Sequence, residues 1–334
     1  MLLAESYVHH IDPWALRFSE GFGIRWYGLA YLAGFLIGWL ILRWMARTGR
    51  SLLNTTQVGD LVTAVIIGVL VGGRLGHVLF YDRHLLWEFT SSPPWWSLLA
   101  INRGGMSSHG GIIGVVLACI WFGRRRGISP WHLLDLVAFA CPFGLGLGRV
   151  ANFVNGELWG RPLPASMQAD PPWWSIKYPE AVLSPDFDRS QLLPLTDLVD
   201  PRLPLADAVY QAASRGQEAV LHRLAPLLVA HWPSQLLQAI TDGILLPALL
   251  ALVWLRPRVP GVVAAWFLVG YGVLRLGTEQ LREPDHGVIR LGWLTLPMML
   301  SLAMIAVGVA LLLTVGRRQV PKVGGLLRPA ALPG

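Results

Sequence analysis

Residues Val58–Phe80 read VGDLVTAVIIGVLVGGRLGHVLF. Apart from Asp60 and Thr63 near the start and Arg74 and His77 near the end, every position is apolar or glycine. A helix needs about 20 mostly apolar residues to cross the hydrocarbon of a bilayer. This stretch has them, and it lacks the polar stripe that a soluble helix turns to water. It reads as a transmembrane helix.

Similar runs lie on either side, at about 24–45, 110–122, 133–150, 236–255, 262–276 and 291–315. The third span, 110–122, is short unless 106–109 extend it. Across the 334 residues, 54% are hydrophobic, only 14% are charged, and the mean hydropathy is +0.50. Soluble domains carry about 25% charged residues. A soluble globule, a disordered chain and a disulfide-stapled module are excluded. The expected fold class is all-α: a polytopic membrane bundle of about seven helices. The expected domains are an N-terminal membrane half (1–150, four spans), an extracytoplasmic head (151–233), a C-terminal membrane half (234–316, three spans) and a basic cytoplasmic tail (317–334).

Basic residues set the orientation. Arg43, Arg47 and Arg50 follow the first span, and Arg124, Arg125 and Arg126 the third. Arg256 and Arg258 follow the fifth, and Arg317, Arg318 and Lys322 the seventh. With seven spans, all four clusters fall on one side, which the positive-inside rule makes cytoplasmic. The N-terminus is then outside and the C-terminus inside. The net charge of +7 is read as a topology signal, so nucleic acid is not expected as a partner.

Between Ala151 and Pro233 stand nine acids against six bases, many prolines and no long apolar run. This suits a small outer head, with Ala206–Ala230 forming one or two short helices. Trp95–Trp96 and Trp173–Trp174 are expected to anchor at the membrane interface. Glu5, His9, His10 and Asp12 precede the first span and no Lys or Arg does so before Arg17. That is the wrong start for a cleaved signal, so the first span is expected to stay as an anchor. The two cysteines, Cys119 and Cys141, lie in apolar runs and read as small hydrophobes. No metal or cofactor is expected.

Polar groups inside a membrane are costly and mark function. They concentrate in four places: Gly72–His77, Gly104–Gly111, Gly144–Arg161 and Tyr271–Asp285. Each has a structural reading. Arg275 and Glu279 are spaced to pair on a helix, Gly110 and Gly114 suit close helix packing, and an Arg near a span end snorkels. Taken together, Arg149 and Arg275 with His109, Asn152 and Glu157 on the same side point to a site. Two guanidiniums can fork onto a phosphate, and at a membrane's outer face that phosphate is most often a phospholipid headgroup. Histidine is the side-chain type that takes up a proton near neutral pH. Transfer chemistry on a phospholipid follows as the expectation.

The run GRVANFVNGELWGR (Gly148–Arg161) resembles the signature of the prolipoprotein diacylglyceryl transferases. So do RWYGLAYL (Arg25–Leu32), GGRLGHVLFY (Gly72–Tyr81), GGMSSHGGIIG (Gly104–Gly114) and GYGVLRLGTEQLREPD (Gly270–Asp285). The resemblance implies a bacterial plasma-membrane enzyme with its active site toward the outer face. Such an enzyme moves a diacylglyceryl group from phosphatidylglycerol, a membrane lipid, to the lipobox cysteine of a preprolipoprotein, forming a thioether and releasing glycerol phosphate. It implies that Arg149 and Arg275 bind the phosphate and that His109 is the candidate base. Tyr27, Asn152, Glu157, Gly160, Tyr271 and Glu279 fall on positions tied to lipid binding or site integrity. The family's His-Pro-Ser-Gln-Leu-Tyr-Glu is altered here to His231-Trp232-Pro233-Ser234-Gln235-Leu236-Leu237-Gln238. Ser108 stands where an aromatic is common, and His77 where Tyr is common. Two other classes compete. One is an anionic-lipid transporter using the same Arg pair. The other is an acyltransferase using Ser107 or Ser108 with His109, against which stands the lack of any Gly-x-Ser-x-Gly elbow.

Overall fold

The computed structural model describes residues 6–19, 22–91, 93–100, 105–283 and 290–327. Gly104, Pro284 and Asp285 of the motifs above lie outside the described residues. In chain order, a short strand β1 (Tyr7–Val8) and a hairpin, β2 (Trp14–Ser19) with β3 (Phe22–Arg25), lead into α1 (Trp26–Arg47). Next come α2 (Thr55–Phe80), α3 (Ser108–Arg126) and α4 (Pro130–Val154). Smaller pieces follow: α5 (Ala165–Gln168), β4 (Ile176–Lys177), α6 (Leu205–Ser214), α7 (Glu218–Leu224) and β5 (Ala230–His231). The chain ends with α8 (Ser234–Ile240), a π-helical turn (Thr241–Leu245), α9 (Leu246–Val253), α10 (Val262–Glu279), the strand pair β6 (Arg290–Leu291) and β7 (Leu294–Thr295), and α11 (Leu296–Val315).

Among the described residues, six helical stretches are long and apolar enough to cross a membrane: α1, α2, α4, the run Ser234–Val253, α10 and α11. This is a polytopic helical membrane protein. The expected third span is a helix, but it falls outside this set. α3 has 19 residues, or about 28 Å at 1.5 Å per residue, so length is not the reason. Its last turn is Arg124–Arg126, and its first turn carries His109 and two glycines. Two other spans start later than the apolar run suggested. Ile24 lies in β3, and Leu291 lies in β6.

By its internal contacts the chain divides into two compact units. The first comprises residues 1–34, 142–247 and 269–306. It contains a head with its own core, where Val182, Leu192, Leu195, Val209, Ala213, Val220 and Leu224 are all buried. A three-stranded sheet in the order β1-β4-β5 ties the N-terminal residues into this head. The two short helices expected there are α6 and α7. Trp173 is exposed, while Trp174 stacks on Trp232 at 4.9 Å between ring centroids.

The second unit comprises residues 35–141, 248–268 and 307–334. Here α2 and α3 pack backbone to backbone. A Cβ on Gly76 would meet Gly110 Cα at 2.7 Å, and one on Gly68 would meet Gly114 O at 2.6 Å. The small-residue packing expected of Gly110 and Gly114 is thus realised. Asn54 caps α2 in a reciprocal box with Gln57. Asp135, 2% exposed, accepts from the backbone N–H groups of Gly261 (2.7 Å) and Ala264 (2.8 Å) at the start of α10. That accounts for one buried carboxylate by the orphan donors of a helix end. Past α11 the chain folds back: Val323 bridges Arg258, and Leu326 N donates to Trp254 O.

Candidate active site

In the first unit, α4, the π-helical turn and α10 converge on Arg149. Gly146 on α4 and Gly243 in the π turn pack so closely that a Cβ on Gly146 would sit 2.5 Å from Gly243 Cα. This approach carries Asp242 alongside Arg149. Asp242 is 1% exposed, and its Oδ2 accepts from Arg149 Nε at 3.2 Å. π turns recur at functional sites because they re-aim side chains. Tyr271, on α10, also hydrogen-bonds Arg149.

One turn on along α10 is Arg275. Its Nη2 lies 2.8 Å from Glu279 Oε2, the i,i+4 pair that the spacing suggested. Its side chain is only 11% exposed, and its Nη1 is buried with no hydrogen-bond partner among the described residues. Arg275 interacts electrostatically with Arg149 and Tyr271, and Asp242 with Arg275. Two guanidiniums and two carboxylates therefore share one low-dielectric neighbourhood, with guanidinium donors to spare. A buried donor without an acceptor is costly, and an anion supplied from outside would satisfy it.

The end of α4 builds the flank of this cluster. Asn152 Nδ2 donates to Tyr27 OH at 3.5 Å, and Tyr27 in turn bonds Tyr31, which also interacts with Arg149 and Glu157. After Val154 the chain reverses through Gly156 at φ +68°, where Glu157 N returns to Asn152 O at 2.9 Å. Only a residue without Cβ adopts that backbone freely. His9 holds the same turn from outside, with Nε2 2.7 Å from Phe153 O. Asn155 donates to Glu157 Oε1 at 2.7 Å. Leu158 follows at φ +57°, an unusual conformation for a branched side chain.

Three side chains lock this strained segment. Ser234 Oγ donates to Leu158 O, Gln235 Nε2 donates to Glu157 O at 2.7 Å, and Tyr178 OH donates to Gln235 Oε1. His231 Nδ1 lies 2.8 Å from Gly160 O. Gly160 packs against the Trp232 backbone so tightly that a Cβ there would overlap Trp232 O. That close approach is what requires glycine at this position. Burial lowers His231's pKa, opposed by its bond to Gly160 and by the charge of Glu283. Burial likewise lowers that of His9, opposed by its bond to Phe153 and assisted by the neighbouring His10.

The sequence matches the family profile of the prolipoprotein diacylglyceryl transferases over residues 13–314. The chain belongs to that family. A relative from Bdellovibrio bacteriovorus, named phosphatidylglycerol–prolipoprotein diacylglyceryl transferase, is 40% identical over 96% of this chain and 97% of its own length. Relatives of the same name from Rhodospirillum centenum and Solidesulfovibrio magneticus are 39% and 38% identical, covering 90% and 92% of this chain and 91% and 96% of their own lengths.

Among the family-motif residues, the structure brings Tyr27, Arg149, Asn152, Glu157, Gly160, Tyr271, Arg275 and Glu279 into one unit. His109 lies in the other, exposed in the first turn of α3. Two members of the cluster were missed from sequence, Tyr31 and Asp242. Tyr31 sits four residues after Tyr27 on one helix face, a spacing that could have flagged it. Asp242 is an acid within an apolar run, Ile240–Leu250, and a carboxylate there was signal enough. The altered His231–Gln238 segment keeps Ser234 and Gln235 bonded to the Glu157–Leu158 backbone. Trp232 in the usual His place stacks on Trp174.

Proposed function

We propose that this protein transfers the diacylglyceryl group of phosphatidylglycerol to the lipobox cysteine of a preprolipoprotein, the first step of bacterial lipoprotein maturation. The observation that carries the reading is the buried pair Arg149 and Arg275, with a guanidinium nitrogen of Arg275 left without an acceptor among the described residues. A phosphodiester supplies acceptors to both.

In the reaction, the thiol sulfur attacks the glyceryl carbon bonded to phosphate oxygen. The carbon–oxygen bond breaks, its electrons leave with glycerol phosphate, and the thiol proton passes to a base. Arg149 and Arg275 bind the phosphate and stabilise the charge that grows on the departing oxygen. Tyr271, Asp242 and Glu279 hold the two guanidiniums. Tyr27, Asn152 and Glu157 shape the lipid-binding flank, and Gly160 keeps the following backbone close to Trp232. His109 is proposed as the base, on its residue type and its place in the family motif.

The protein is placed in the bacterial plasma membrane with its N-terminus outside, its C-terminus cytoplasmic and the site toward the outer face. The four basic clusters support this orientation. The transporter reading has no relative among those above to support it. The test is incubation of the purified protein with phosphatidylglycerol and a lipobox peptide. The peptide should gain the mass of one diacylglyceryl group, and glycerol phosphate should appear in step. An unmodified peptide alongside intact, correctly inserted protein would refute the assignment.

A further inference from the structure

Arg74 belongs to a family motif, yet the phosphate chemistry gives it no task. It sits near the end of α2 in the second unit and is buried, 7% exposed. Its guanidinium reaches backbone carbonyls on two separate segments. Nη2 donates to Ser97 O at 2.5 Å and Nε to Leu98 O at 2.8 Å, while Nη1 donates to Gly105 O at 3.0 Å, two residues before the α3 cap Ser107. The residue before it completes the joint, since Gly73 O accepts from Ser107 N at 2.9 Å. Ser107 then caps α3, its Oγ accepting from Gly110 N at 3.3 Å. Gly105 turns at φ +76°, and a Cβ there would stand 2.8 Å from Arg74 Nη1 and 2.6 Å from His77 Nε2. His109 follows two residues after the cap.

We infer that Arg74 is a positioning residue: it clamps the segment that enters α3 and so sets where the His109 imidazole stands. The fork geometry is what the task needs. A planar guanidinium can satisfy carbonyls on two segments at once, whereas a lysine ammonium is a single point on a flexible stem. Placing the clamp on α2 makes the register of α3's first turn depend on a side chain from a neighbouring helix that is itself held backbone to backbone against α3. Catalytic rates are sensitive to such placement: a displacement of about 1 Å costs about a hundredfold.

The inference rests on His109 acting as the base, and the experiment separates the two. Transfer from phosphatidylglycerol to a lipobox peptide is measured for the full-length protein, for Arg74→Lys, for His109→Gln and for the double variant. The expected result is that each single variant loses about a hundredfold in kcat with an unchanged KM for the lipid. The double variant is expected to be no slower than His109→Gln alone, because Arg74 acts only through that side chain. If His109→Gln is impaired but Arg74→Lys is not, or if the two losses multiply, the positioning role is overturned while the base assignment stands. If His109→Gln is fully active, both fall. Should Arg74→Lys fail to purify as intact protein, Gly105→Ala strains the same joint with Arg74 in place. It must then show the same kcat loss and the same lack of additivity with His109→Gln, and wild-type kinetics would overturn the inference.

Discussion

Arg149 and Arg275 illustrate what a sequence shows and what it hides. An arginine in an apolar run is conspicuous because inserting it is expensive, and the i,i+4 spacing of Arg275 and Glu279 announces their pairing. What neutralises Arg149 was not legible, since Asp242 lies 93 positions away and a π turn aims it. If the pair binds phosphate through forked donors, Arg149→Lys and Arg275→Lys keep the charge but lose the fork. Each should cut turnover by about 10²–10³-fold, the cost of one donor to a developing oxyanion. Full activity in both would make the pair structural. Asp242→Ala strands a buried guanidinium, so it should lower stability by about 1.5–3 kcal/mol, the worth of a charged hydrogen bond, read as a lower unfolding temperature in detergent. The cysteines give the converse case. Cys119 is buried and Cys141 half-buried within helices, and direct displacement by the incoming thiol needs neither. A Cys119→Ser, Cys141→Ser double variant should keep its transfer activity, at a folding cost of about 1–3 kcal/mol for a buried hydroxyl. Diacylglyceryl trapped on either residue would contradict direct displacement.

Helices were the legible elements, because a membrane span needs a long apolar run and says so in composition. Their ends were less so. α10 runs on to Glu279 because Arg275 and Glu279 pair along it, and α11 starts late because β6 and β7 pair first. α3 shows the limit of composition, for it holds its place through Gly68, Gly76, Gly110 and Gly114. Gly114→Leu should force α2 and α3 apart and cost about 1–3 kcal/mol of stability, as overpacking does, visible in thermal unfolding. The head was harder to read. Its strands are two residues long, and one of them comes from the N-terminal segment, a non-local pairing that no local pattern encodes. Its two buried imidazoles give it a pH response. His9 and His231 have lowered pKa values in the fold, so the unfolded chain binds protons first as the pH falls. Their contribution is fully present above the ordinary value of about 6.5 and is lost as the pH drops from there through the folded values. Glu180, raised by burial and by the charge of Glu157, works in the opposite direction nearer its ordinary carboxylate range. Amide protection in residues 205–224, taken relative to the intrinsic exchange rate at each pH, should fall between pH 7 and 5.5, and His9→Gln with His231→Gln should flatten the change. A response that persists in that double variant would assign it elsewhere.

For the whole molecule, the polytopic helical class was set by hydropathy, and the family by five motifs in order. The orientation rests on basic clusters alone. A reporter inserted near Pro185 should read outside and one fused after Arg318 should read cytoplasm, whereas finding both on one side would overturn the proposed orientation. The central claim is narrower: one phosphate of phosphatidylglycerol is held by Arg149 and Arg275 together. Its most direct measurement is an experimental structure of the protein with phosphatidylglycerol bound. Phosphate oxygens are expected within about 3 Å of both guanidiniums, one of them accepting from the Arg275 Nη1 that has no acceptor among the described residues. A phosphate bound elsewhere, with Arg275 Nη1 still without an acceptor, would contradict it.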